Sequence, residues 1–162
     1  MQEQEGNKHL EFIKKSIQCA EYGLNNKIGG PFGAVIVKDG QIISEGWNTV
    51  TTDNDATAHA EVNAIRKACK TLNTFKLNEC FIYVNAEPCP MCLSAIYWAR
   101  IDKIYYAGSR HDVAKIDFDD SFIYDEINKP LNQRKIPMEQ IGREFCLDTL
   151  KKWEMLEDKI EY

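Results

Sequence analysis

The sequence predicts one α/β domain of the three-layer αβα kind, with a mixed central sheet of about five strands. Three observations carry that prediction. Two β-rich runs are joined by Asp39-Gly40, which signals a tight hairpin because both residue types tolerate positive φ. The run CFIYV at 80–84 is followed by a helical stretch and then KIYYA at 103–107, the pattern of a parallel βαβ crossover. Amphipathic stripes supply the outer layers, at Leu10, Ile13, Ile17, Ala20 and Leu24 and again at Ala58, Val62, Ile65, Cys69 and Leu72.

The elements follow in order. The first stripe is a helix stopped by NNKIGG, residues 25–30. GAVIVKDGQIISEG, 33–46, is the hairpin, and NTVTTDNDAT, 48–57, reads as a polar loop. The second stripe is a helix with His59 at its start. Pro88 or Pro90 opens a third helix running to about Ala99, since proline suits a helix's first turn. The last third is less regular. DFDDSFIYDE, 117–126, is acidic and aromatic, NKPLNQRK, 128–135, is a polar connector, and IPMEQI, 136–141, reads as a strand. Cys146, Leu150, Trp153, Leu156 and Ile160 form a final stripe, and Cys19, Cys69, Cys80 and Cys146 read as buried small residues.

Composition narrows the function classes. The chain has 162 residues, 44% apolar and 28% charged, with a formal net charge of −5. That length buries a hydrophobic core without disulfide or metal staples. No apolar run approaches the roughly 18 residues of a membrane span. The opening MQEQEGNKHLEF is acidic and polar, unlike a secretory signal, so a soluble cytoplasmic protein is expected. There is no repeat, low-complexity tract or linker, so residues 1–162 read as one domain. Lysines and arginines are scattered, which argues against a long nucleic-acid partner.

The stretch AEPCPMC, 86–92, poses the chemical question. Cys89 and Cys92 read by themselves as a disulfide, a redox pair, two core residues or two metal ligands. TAHAEVNA, 57–64, breaks the tie. His59 with Cys89 and Cys92 makes three ligands, and tetrahedral zinc takes four, leaving one place for water as catalytic sites do. Both cysteines fall in the first helical turn after a strand, where the helix dipole favours thiolate. Glu61 then has a task. Zinc lowers the pKa of bound water from 15.7 to about 7, on the order of 12 kcal/mol less to form hydroxide, and a carboxylate beside the metal carries the proton onward. H-x-E followed by P-C-x-x-C is the pattern of zinc deaminases acting on nucleobases.

AHAEVNAIRKAC and EPCPMCLSAIYWAR together resemble the cytidine deaminase-like superfamily. GGPFGAVIVKDG, EGWN, the FDDSFIYDEI segment and the C-terminal tyrosine resemble, within it, the bacterial guanine deaminases. The resemblance implies one Zn2+ per subunit on His59, Cys89 and Cys92, with Glu61 as proton shuttle. It implies a purine pocket near Phe32, Asn48, Ala60 and Trp98, with Asp120 contacting the guanine edge or helping the amine leave. It also implies a cytoplasmic homodimer in purine catabolism, in which the segment from about 143 to 162 is swapped and Tyr162 closes the partner's site. The chain departs from the expected pattern at Asn85-Ala86, where a small hydroxyl residue would precede the EPC triplet.

Plainer readings stand beside these. Phe32 also reads as a loop anchor and Asn48 as a turn residue bonding its own backbone. Trp98 also reads as core, Asp119 and Asp120 as a solvated loop or helix cap, and Tyr162 as a frayed terminus. The leading function is hydrolysis of guanine to xanthine and ammonia. The alternatives are deamination of guanosine, cytosine, cytidine or a triazine, deamination of adenosine in transfer RNA, and a non-enzymatic module stapled by structural zinc.

Overall fold

The hairpin turn forms where Asp39-Gly40 places it. In the computed structural model, which describes residues 2–162 and the side chains from residue 6 onward, Asp39 has φ 51° and Gly40 φ 74°. Two successive positive φ values are what a type I′ turn requires. They join β1 (Gly33–Lys38) to β2 (Gln41–Trp47), with Lys38 opposite Gln41 and Gly33 opposite Trp47. β3 (Cys80–Ala86) pairs antiparallel with β1, and β4 (Lys103–Gly108) pairs parallel with β3. The sheet order is β2-β1-β3-β4, a mixed sheet as expected.

Alternation along the strands builds two cores. Ala34 and Ile36 of β1 and Ile82 and Val84 of β3 pack with Ala60, Ala64 and Ala68 of α3 (Ala60–Leu72) and Ile96 of α4 (Pro90–Trp98). The intervening Val35, Val37 and Tyr83 face the other way, against Phe12, Ile13 and Cys19 of α1 (Gln2–Asn25). Period-two burial on both faces is what makes these strands nearly continuous apolar runs. Close approach needs glycine. A Cβ on Gly46 would lie 2.3 Å from the carbonyl oxygen of Ala60, so the start of α3 can sit directly on β2 only with glycine there. On the α1 face, His9 Nδ1 lies 2.7 Å from the Tyr83 hydroxyl and Nε2 3.3 Å from that of Tyr105.

Several expectations change. The described sheet has four strands, not about five, because IPMEQI forms none. Pro137 lacks the N–H a ladder needs, and Ile136, Met138 and Ile141 are all exposed. A short α2 (Val50–Asp53) interrupts the loop expected at 48–57. A short α5 (Arg110–Ala114) precedes the acidic-aromatic region, which itself becomes a turn and most of α6 (Ser121–Asn128), and α7 (Arg143–Glu154) holds most of the final stripe. Cys146 is exposed, whereas Cys19 and Cys80 are buried and Cys69 is half-buried. The chain divides into two compact units, Met1–Asp120 and Ser121–Tyr162. No described helix is long and apolar enough to cross a membrane.

Candidate active site

The site begins where two helices begin. His59 is the N-cap of α3 and Cys89 the N-cap of α4, both with extended backbone and neither capping its own helix with its side chain. Pro90 at the first position fixes the entry to α4, where its missing N–H costs nothing. Cys89 therefore precedes the helix it was expected to lie in, and Cys92 follows in the first turn.

The three side chains converge. His59 Nδ1 is 3.6 Å from Cys89 Sγ and 3.5 Å from Cys92 Sγ, and the three ligand atoms all lie within 4.8 Å of one another. In a tetrahedral zinc centre with Zn–S about 2.3 Å and Zn–N about 2.0–2.1 Å, the N···S edges measure about 3.6 Å. The donor set and its spacing thus fit zinc. The electrostatics agree. The Cys89 thiol is pulled down to about 4, first by the hydrogen bond from Cys92 and then by His59. Cys92 is pushed up, first by sharing its proton with Cys89 and then by burial. His59 is raised by its bond to Cys89. The two sulfurs readily hold one negative charge, and a divalent cation is what stabilises a second.

Glu61, in the first turn of α3, is only 7% exposed. Burial raises its carboxyl above the ordinary range, and the Cys89 charge adds to this. A carboxyl whose pKa is shifted upward beside a metal site is suited to exchanging a proton. Asp120 is also raised, first by burial and then by the charge of Cys89, which puts it within electrostatic reach of the ligand set.

The remaining predicted residues divide. Asn48 is buried, and its Oδ1 accepts from Gly30 N at 3.2 Å and Val50 N at 3.1 Å, while its backbone N–H donates to Phe32 O at 3.1 Å. Phe32 is partly buried against the core and meets Phe118 edge-on, with centroids 5.0 Å apart at 89°. Ala60 is buried between His59 and Glu61. Trp98 ends α4, 61% exposed, and six residues of helix put it about 9 Å beyond Cys92. Tyr162 is exposed and belongs to the second unit.

Sequence reasoning missed the supports. Asn63 donates from Nδ2 to Trp47 O, Thr49 Oγ1 and Ala58 O, tying the end of β2 to the residue before His59. The Glu87 carboxylate accepts from Arg110 N at 2.9 Å, linking the cysteine loop to the start of α5. Periodicity says nothing of either, since both are polar side chains spent on distant backbone.

The zinc-binding region shared by cytidine and deoxycytidylate deaminases matches residues 6–108. The chain belongs to that deaminase family. It is 54% identical over 154 residues to the guanine deaminase of Bacillus subtilis (strain 168), covering 95% of this chain and 99% of that one. The X-ray structure of guanine deaminase from Bacillus subtilis superposes with a TM-score of 0.92 over 95% of this chain and 98% of that chain. A tRNA-specific adenosine deaminase of Buchnera aphidicola subsp. Schizaphis graminum is 34% identical over 144 residues, covering 89% of this chain and 92% of that one. The chain is a hydrolytic deaminase with the αβα fold of its family, and His59, Cys89 and Cys92 form its possible zinc site.

Proposed function

We propose that this deaminase hydrolyses guanine to xanthine and ammonia. The observation that carries the chemistry is the His59–Cys89–Cys92 cluster with buried Glu61 beside it. What selects guanine is likeness along nearly the whole chain to a guanine deaminase, at 54% identity against 34% for the transfer-RNA enzyme. The net charge of −5 also disfavours an RNA backbone.

When bound, zinc supplies Lewis acidity, bringing the ionisation of water to about neutral pH. Glu61 accepts the proton shed by the attacking water and returns it to the exocyclic nitrogen. The C–N bond then breaks, and the amine leaves as ammonia. Asn48 Oδ1 is committed to the Gly30 and Val50 amides, so Nδ2 is the atom that donates to the base. Asp120 accepts from an N–H of the guanine edge, Phe32 stacks on the ring, and Ala60 forms the floor between ligand and shuttle. Polar partners of this kind discriminate sharply against rings lacking the matching group.

In this reading residues 1–162 act as one deaminase domain in a cytoplasmic homodimer of purine catabolism. Trp98 lines the purine pocket, the segment 143–162 is exchanged, and Tyr162 closes the partner's site. The support is that Phe145, Leu150 and Trp153 of α7 are all exposed apolar residues. The test is ammonia release from zinc-loaded protein with guanine, guanosine, adenine, cytosine and cytidine. Release from guanine is expected. Release from another ring alone overturns the substrate, and silence across the panel overturns the activity on free bases.

A further inference from the structure

We infer that Asn85 is a positioning residue for substrate, setting the place of Phe32 by clamping the backbone on both sides of it. The inference rests on the reading that Phe32 stacks on the base.

Asn85 is the next-to-last residue of β3, where the pairing of β1 with β3 runs out after Ala34 opposite Val84. Its carboxamide takes over from there. Nδ2 donates to Pro31 O at 2.9 Å, and Oδ1 accepts from Gly33 N at 2.9 Å. These two backbone groups flank Phe32. A planar amide presents donor and acceptor side by side and satisfies both at once. A hydroxyl offers one atom for the two bonds, and a carboxylate offers no donor.

The rest of the loop leaves little freedom. Phe32 N donates to Gly30 O at 2.8 Å, and Phe32 O accepts from Asn48 N at 3.1 Å. Gly30 N donates to Asn48 Oδ1. Gly33 lies so close to α1 that a Cβ there would fall 2.1 Å from Ser16 O. Phe32 is therefore held between two asparagines, one from the end of β2 and one from the end of β3, and Phe118 meets its ring edge-on. Asn85 stands where a small hydroxyl residue was expected, and the clamp is what it does there. Both ends of its carboxamide are spent on Pro31 O and Gly33 N, the two backbone groups beside Phe32, so its effect is on binding the base and not on moving the proton.

The test compares Asn85→Ser, Asn85→Asp, Phe32→Leu and the double variant Asn85→Ser/Phe32→Leu, each zinc-loaded. Both Asn85 variants are expected to raise KM for guanine about tenfold while kcat and zinc content hold. In the Phe32→Leu background, Asn85→Ser should add less than about twofold, because the two residues act through one contact. Amide exchange at Gly33 should speed up in Asn85→Ser, reporting the lost bond directly. If Gly33 exchanges faster yet KM is unchanged, Asn85 is merely structural and the inference fails. Equal falls in kcat and kcat/KM, lost zinc, or fully multiplicative effects with Phe32→Leu also overturn it. If Phe32→Leu alone leaves KM unchanged, the stacking reading itself fails, and the inference with it.

Discussion

His59 and Cys89 occupy the same structural position on two different helices. Each is an N-cap, and each sends its side chain to the other, Nδ1 to Sγ at 3.6 Å, and not to its own helix. The arrangement places two positive helix ends at one point, which favours thiolate and, with it, a cation-binding centre.

Removing the metal should therefore abolish activity without unfolding the chain. The two buried clusters on either face of the sheet involve neither the His59 nor the Cys89 side chain. We expect a chelator to eliminate turnover, leave the far-ultraviolet circular dichroism intact, lower Tm by the lost binding linkage, and be reversed by added Zn2+. Global loss of helical signal on chelation would show that the metal holds the fold.

Thiol chemistry should report the same site. In metal-free protein Cys89 is lowered to about 4, while Cys19 is raised to about 11 by burial and then by Glu45. A thiol with a depressed pKa is thiolate above that value, so at pH 6 Cys89 is reactive and Cys19 is not. Iodoacetamide labelling mapped by mass spectrometry should modify Cys89 and spare Cys19, with Zn2+ protecting Cys89. Equal labelling of the two would contradict the electrostatics.

In the proposed mechanism Glu61→Gln removes the proton carrier while leaving the His59–Cys89–Cys92 cluster in place. We expect kcat to fall by about 10²–10⁴ with zinc content unchanged. If zinc is lost as well, Glu61 belongs to the metal's support and not to the chemistry.

Stability should depend on a cluster remote from the zinc site. Tyr83 is 1% exposed, and its hydroxyl meets His9. His9→Ala leaves that hydroxyl without its partner and loosens α1 from the sheet, costing about 1–3 kcal/mol. The expected result is a lower urea midpoint with kcat preserved, since His9 packs on the face opposite α3 and α4. An unchanged midpoint would mean the hydroxyl finds water instead.

How much of this was legible in the sequence follows from the range of each interaction. The hairpin was readable because its turn depends on Asp39 and Gly40 alone. The helices were readable because burial repeats with their period, although α7 shows how a stripe predicts amphipathicity without saying what covers it. IPMEQI misled because its apolar residues looked strand-like while Pro137 removed a ladder donor. Trp98 carried no signal of its exposure, since helical phase sets its face about 120° from that of Cys92 but says nothing of what packs against that face.

By itself the sequence determined the chemistry. One imidazole, two sulfurs and one nearby carboxylate, at H-x-E and P-C-x-x-C spacing, specify a three-ligand zinc site with a carboxylate beside it, because ligand type and local helix geometry are short-range properties. Only the tertiary structure decided that His59 and Cys89, 30 residues apart, are both helix caps aimed at one point. It alone decided that Asn85 reaches back 54 positions to Pro31. Those meetings depend on which strand lies beside which, and the order β2-β1-β3-β4 comes from packing both faces of the sheet at once, which no local pattern encodes.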